Sequence, residues 1–338
     1  MSLPRVFIPD PIHADGVTLL RGQFVVDAPA NLDSAARRSA FAAADAVVVR
    51  NVTIDARLMD ACPRLKVIAK HGAGVDNIDI RAATERGIVV ASVPGGNANA
   101  VAEATVALML AALRRVPEVH GLVTGGRYAA RFALHFEQLW ERTLGLVGIG
   151  NIGARVARIC SQGFNMKVLA FDPALSEAEV TARGAAKVDD LGALLAAADV
   201  VSLHLPLTAE SFHLIGAEEL SAMKPTAILV NAARGPLVDE IALAAALRER
   251  RIGGAGLDVF ETEPPSPDNP ILTAPNVVLS PHTAGNTVEA ARYLAVSSAE
   301  IVIAALSGRR PAGLLNPEVW ERRRREAGSS GTLPPGIP

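Results

Sequence analysis

The chain has 338 residues, with 33 Lys+Arg against 35 Asp+Glu and a formal net charge of −2. This length predicts about two domains, each able to bury a core, and a composition that is 50% apolar and 20% charged excludes disorder for most of the chain. The even charge balance, with only 4% aromatic residues, argues against a nucleic-acid partner, and two cysteines, Cys62 and Cys160, cannot build a disulfide framework, which points to a reducing, cytoplasmic setting.

The N-terminal segment MSLPRVFIPDPIHADG lacks a basic region followed by an apolar stretch, so no secretion signal is expected. No apolar run reaches the roughly 18 residues of a membrane span. In chain order, short apolar runs predict strands at 6–9, 46–49, 67–69, 88–91, 143–149, 168–171, 200–204, 227–231, 254–257 and 277–280. Segments of helical period such as LGALLAAA and EIALAAALRER lie between them. Strands alternating with helices imply an α/β protein with parallel sheets covered on both faces. Two longer helices, 98–115 and 288–306, follow Gly- or Pro-containing breaks and are candidates for joining domains. The tail over 321–338 runs from Glu321 through four arginines and turns Gly/Pro/Ser-rich, which reads as a solvated helix end leading into a flexible terminus.

The segment GLVGIGNIGARVARI carries Gly148-x-Gly150-x-x-Gly153 between an apolar strand and an amphipathic helix. Gly148 permits the tight turn, Gly150 lets a pyrophosphate approach the backbone, and Gly153 lets helix and strand pack closely. The helix start then holds the phosphates through its N–H groups and dipole. Asp172 closes the next strand, nineteen residues after Gly153. An acid there accepts hydrogen bonds from the adenosine ribose and repels a 2′-phosphate, favouring NAD over NADP. No metal site is expected.

Polar residues recur at the carboxyl ends of the later strands, where open α/β sheets place ligands. His204 follows VVSL, Arg234 lies in NAARG, Asp258, Glu261 and Glu263 lie in LDVFETEPP, and His282 lies in SPHTAG. An Arg, a carboxylate and a His are what hydride transfer to a 2-keto acid requires. The guanidinium holds the substrate carboxylate and polarises its carbonyl, and the imidazole exchanges a proton with the carbonyl oxygen. A paired carboxylate fixes the imidazole tautomer and favours its protonated form.

With these residues in place, the chain resembles the D-isomer-specific 2-hydroxyacid dehydrogenases from about residue 5 to 315. The likeness rests on KHGAGVDNID, PGGNANAVAE, GLVGIGNIG, HLPLT, NAARG, LDVFETEP and SPHTAG in that order. It implies Arg234 as the substrate-binding arginine, Glu263 as the partner of the histidine, because it directly precedes a proline, and His282 as the acid/base. It further implies an NAD site lined by Thr105, Asn151, Ile152, Asp172, His204, Leu205, Pro206, Ala232, Ala233 and Asp258, and backbone N–H groups of Ala73 and Gly74 at the substrate carboxylate. The implied architecture has two Rossmann-like domains. A flavodoxin-like substrate domain, 1–98 plus 288–320, is interrupted by an NAD-binding domain, 99–287, and the chain forms a homodimer through the first long helix and the segment to about Trp140.

The substrate side chain is less legible. Arg50, at the end of AVVVR, is a candidate for holding a second anionic group, while His71 reads as structural. The reading favours hydroxypyruvate/glyoxylate-type acids or 3-phosphoglycerate, with a sulfolactate-type substrate as an alternative. A rival of another class is an NAD-sensing corepressor of the same fold. Formate oxidation is disfavoured because relatives that perform it carry Gln where this chain has Glu263.

Overall fold

The computed structural model describes residues 3–28 and 33–324. Two compact units share the chain: one runs to Asn97 and resumes at Thr287, and the other is Ala98–Asn286. The two long helices, Ala98–Leu113 and Val288–Leu306, begin at these two crossings.

The first unit holds a five-stranded parallel sheet of β1 (Arg5–Phe7), β2 (Val25–Asp27), β3 (Ala46–Val49), β4 (Val67–Lys70) and β5 (Val89–Ala91), in the order β2-β1-β3-β4-β5. This is the flavodoxin-like order. Side chains alternate between two cores: Ala46 and Val48 pack with Val302 and Ala299 of the Val288–Leu306 helix, and Val47 and Val49 pack with Phe41 and Met59 on the other face. Burial on both faces is why these strands read as unbroken apolar runs.

The second unit holds a seven-stranded parallel sheet of β6 (Thr143–Val147), β7 (Lys167–Phe171), β8 (Ala186–Lys187), β9 (Val200–Leu203), β10 (Ile228–Asn231), β11 (Gly254–Leu257) and β12 (Val277–Leu279). Its order, β12-β11-β10-β9-β6-β7-β8, reverses direction at the β6/β9 pair, the switch point at which such sheets bind ligands. The helix Ala98–Leu113 covers one face, and Leu108 lies against the β11 backbone where a Cβ on Gly256 would approach it to 2.9 Å.

The structure departs from the sequence reading at several places. β2 and β8 were not expected. The strand expected at 143–149 stops at Val147 because Gly148 turns with φ +86°. The described start of the tail, 321–324, is not helical: Glu321 and Arg322 are exposed, whereas Arg323 and Arg324 are half-buried. Arg324 donates from Nε to Arg86 O at 2.7 Å and from Nη1 to Leu65 O at 3.0 Å, and Arg323 stacks over Trp320. The expectation for 325–338 lies outside the described residues. Among the described residues no helix is long and apolar enough to cross a membrane, and no group of three or more His, Cys, Asp or Glu is disposed to hold a metal ion. Both cysteines are free and buried, and burial pushes the Cys160 thiol up to about 12.

Candidate active site

The glycine turn sits at the switch point. A Cβ on Gly148 would lie 2.7 Å from His204 O, and one on Gly153 would lie 2.6 Å from Gly148 O, so β6, β9 and the following helix meet only because both positions lack side chains. Gly150 differs: nothing lies within 4 Å of the place its Cβ would take. It precedes the 14-residue helix Asn151–Phe164 and provides no side-chain cap, which leaves the helix N-terminus accessible to an anion. Asn151 is exposed and Ile152 half-buried beside it.

Asp172 closes β7 and turns back on this loop, accepting from Ile149 N at 3.0 Å and Ala174 N at 3.2 Å. Arg183 donates to Ile149 O at 2.8 Å, so a carboxylate and a guanidinium grip one residue of the turn. The open glycine, the uncapped helix start and the acid at the end of β7 fit a dinucleotide's pyrophosphate and adenosine ribose.

His204, expected to line the cofactor site, pairs through Nε2 with Ser202 Oγ at 2.9 Å, and burial pushes its pKa down to about 4. A ring that stays neutral is not a general acid near neutral pH. Leu205 is half-buried and Pro206 exposed after it. Thr105, expected at the cofactor wall, is buried and spends its hydroxyl on Val101 O at 2.7 Å.

His282 and Glu263 are brought together directly, with Nδ1 2.7 Å from Glu263 Oε2. The His282 side chain is 54% exposed, so the remaining ring nitrogen, Nε2, is open to a reacting group. Glu263 is fixed through its other oxygen, which accepts from Phe260 N at 3.1 Å. His282 itself adopts φ +53°, unusual for a residue with a side chain. Its N–H donates to Asp258 O at 2.7 Å. The buried Asp258 carboxylate accepts from Ser280 Oγ at 2.6 Å and from Thr283 N and Ala284 N at 2.8 Å. Asp258 thus holds the histidine loop, a role that its expected place at the cofactor does not describe.

Arg234 follows β10, where Asn231 forms an Asx turn: its Oδ1 accepts from Ala233 N at 3.0 Å and its Nδ2 donates to Arg234 O at 2.8 Å. Ala232, Ala233 and Arg234 are half-buried at this edge. Gly235 then brings the segment against the loop that carries Glu263, since a Cβ there would fall 1.8 Å from Phe260 O. Glu261 turns away from His282 towards the helix Glu240–Arg248, where its Oε1 accepts from Glu240 N at 2.9 Å. Asn231, Gly235 and Arg183 were not singled out from sequence. A glycine directly after the candidate arginine was the available signal for Gly235.

Arg50, Ala73 and Gly74 belong to the other unit. Arg50 is half-buried at the end of β3, with Nη1 3.5 Å from Pro11 O. Lys70 Nζ donates to Arg50 O and Asn77 Oδ1, both at 2.6 Å, anchoring the loop in which Ala73 is exposed and Gly74 half-buried. His71 is buried, and burial together with the Arg50 charge pushes its pKa down to about 4.

Residues 106–284 match the family model of the NAD-binding domain of D-isomer-specific 2-hydroxyacid dehydrogenases. The chain is 41% identical to a glyoxylate reductase of Korarchaeum cryptofilum over 95% of its own length and 98% of that protein's. It is 44% identical to a D-3-phosphoglycerate dehydrogenase of Archaeoglobus fulgidus over 78% of its length, and this match spans about half (50%) of that relative. Among solved structures, an NADPH-dependent glyoxylate/hydroxypyruvate reductase from Sinorhizobium meliloti, in complex with NADP and malonate, superposes with a TM-score of 0.83 at 31% identity, covering 96% of this chain and 99% of that one.

Proposed function

From the premise that the chain belongs to the D-isomer-specific 2-hydroxyacid dehydrogenase family, we propose that it is an NAD-dependent reductase of small 2-keto acids of the glyoxylate/hydroxypyruvate type. The observation that carries this reading is the exposed His282 held at 2.7 Å by Glu263, on a loop that Gly235 packs against the segment bearing Arg234.

When bound, the nicotinamide supplies or accepts the hydride. Arg234 binds the substrate carboxylate and polarises the neighbouring carbonyl. His282 gives its Nε2 proton to the carbonyl oxygen in reduction and takes it back in oxidation. Glu263 accepts from Nδ1–H, which keeps the proton-transfer nitrogen at Nε2 and stabilises the imidazolium. Asp172 favours NAD at the ribose hydroxyls.

The substrate class is supported by the glyoxylate reductase that this chain matches almost end to end. The 44% identity to a phosphoglycerate dehydrogenase makes 3-phosphoglycerate the second reading. The test is NADH oxidation with glyoxylate, hydroxypyruvate and phosphohydroxypyruvate. His282→Ala is expected to lower turnover by about two to four orders of magnitude while NADH still binds. Retained turnover removes the acid/base assignment, and inactivity of the unaltered protein on every acid favours a binding role.

A further inference from the structure

Resting on the reading that His282 and Glu263 carry the proton, we propose that Glu240 and Glu261 are positioning residues that set the geometry of that pair. Glu240 is only 4% exposed and takes no part in the chemistry above. A buried carboxylate is costly unless its oxygens are bonded, and here they are. Oε1 accepts from Glu261 N at 2.7 Å, and Oε2 accepts from the Asn269 amide. In return Glu240 N donates to Glu261 Oε1 at 2.9 Å, so the two glutamates form a reciprocal clamp between the start of the helix Glu240–Arg248 and the loop after β11.

The clamp acts on the peptide beside the one that aims Glu263. Phe260 N donates to Glu263 Oε1 at 3.1 Å and so turns Oε2 to His282. Gly235 presses on Phe260 O from one side, and Glu240 holds the next N–H from the other. The second oxygen of Glu261 lies 3.2 Å from His213 Nε2. His213 is itself tied to the segment after Arg234, through a donation from its N–H to Pro236 O at 2.8 Å, and its ring stacks on Phe212. The clamp therefore joins the loops that bear Arg234 and Glu263, with His213 packed beside it, and small displacements of catalytic groups cost turnover more than binding.

The test compares Glu240→Ala, Glu240→Gln and Glu261→Ala in the full chain, reading kcat, the KM values for NADH and keto acid, NADH affinity by fluorescence titration and thermal unfolding. Glu240→Ala is expected to lower kcat about ten- to hundredfold, with KM and NADH affinity within about twofold of the unaltered enzyme. Glu240→Gln keeps an acceptor for Glu261 N and is expected to lose only about threefold. Glu261→Ala, on the more exposed partner, should reproduce the kcat effect even if Glu240→Ala does not fold. Unchanged kcat in a folded variant, or a parallel loss of kcat and NADH affinity, overturns the proposal. His282→Ala run alongside separates the two claims: if it stays active, the catalytic reading fails and the positioning role falls with it. If it is inactive while the clamp variants are normal, the positioning role alone fails.

Discussion

Glu261 and Glu263 stand two residues apart on one loop yet do different work. Glu263 Oε2 meets His282, whereas Glu261 faces Glu240 and His213. The choice of Glu263 was legible only through the family resemblance, whose acid directly precedes a proline, here Pro264. The role of Glu261 was not, because its partner is 21 residues away in sequence and is read only once α and β elements are packed. Gly235 was hidden for the same reason, its constraint being the backbone of Phe260. Asp172 lies at the end of β7, where its spacing from the glycine turn predicts an acid, and its carboxylate accepts from Ile149 N. Asp172→Ala is expected to raise the NADPH/NADH ratio of kcat/KM by about tenfold or more, because a negative charge at that place opposes a 2′-phosphate. An unchanged ratio would locate the discrimination elsewhere, with Arg183 the first place to look.

For the elements, the apolar strands could be read from sequence, the edge strands β5 and β12 included, whereas the edges β2 and β8 could not. β8 has two residues, and β2 is a half-exposed edge strand of three, so neither carries the apolar run that marks β3 or β9. The strand–turn–helix unit around Gly148 makes a sharper prediction, because its glycines serve different ends. Gly150→Val adds atoms to open space and should leave the unfolding temperature within about 2 °C while weakening NADH binding about tenfold or more. Gly153→Val pushes a side chain into Gly148 O and should cost about 1–3 kcal/mol of stability. Calorimetric scans with NADH titrations distinguish the two, and equal destabilisation by both changes would refute the assignment of Gly150 to ligand approach.

Two predictions belong to the whole molecule. The helix Val116–Thr124 has no buried residue, and Val123, Phe132 and Trp140 are more than half exposed; we propose that this segment pairs two copies of the chain. Light scattering should give twice the chain mass, and Phe132→Glu should yield monomers; a monomeric unaltered protein would remove the proposal. The second is acid lability. His71 is neutral in the fold, with a pKa near 4 against an ordinary 6.5, so the unfolded chain takes up the proton first. Stability is complete above about 6.5 and falls as pH drops towards 4, by on the order of 2–3 kcal/mol from this ring. Urea midpoints at pH 7, 5.5 and 4.5 should fall accordingly, and less steeply in His71→Asn. One connection has a further consequence. β5 is completed by residues far along the chain: Asn316 Oδ1 accepts from Val90 N at 2.9 Å, and Ser92 N donates to Gly313 O at 3.0 Å. During synthesis, at about 5–20 residues per second, the unit that is begun first is therefore finished last. Its β5 edge stays uncovered for tens of seconds while the unit of Ala98–Asn286 is made and folds, which makes the nascent chain most vulnerable to aggregation just when its cofactor-binding half is already sound.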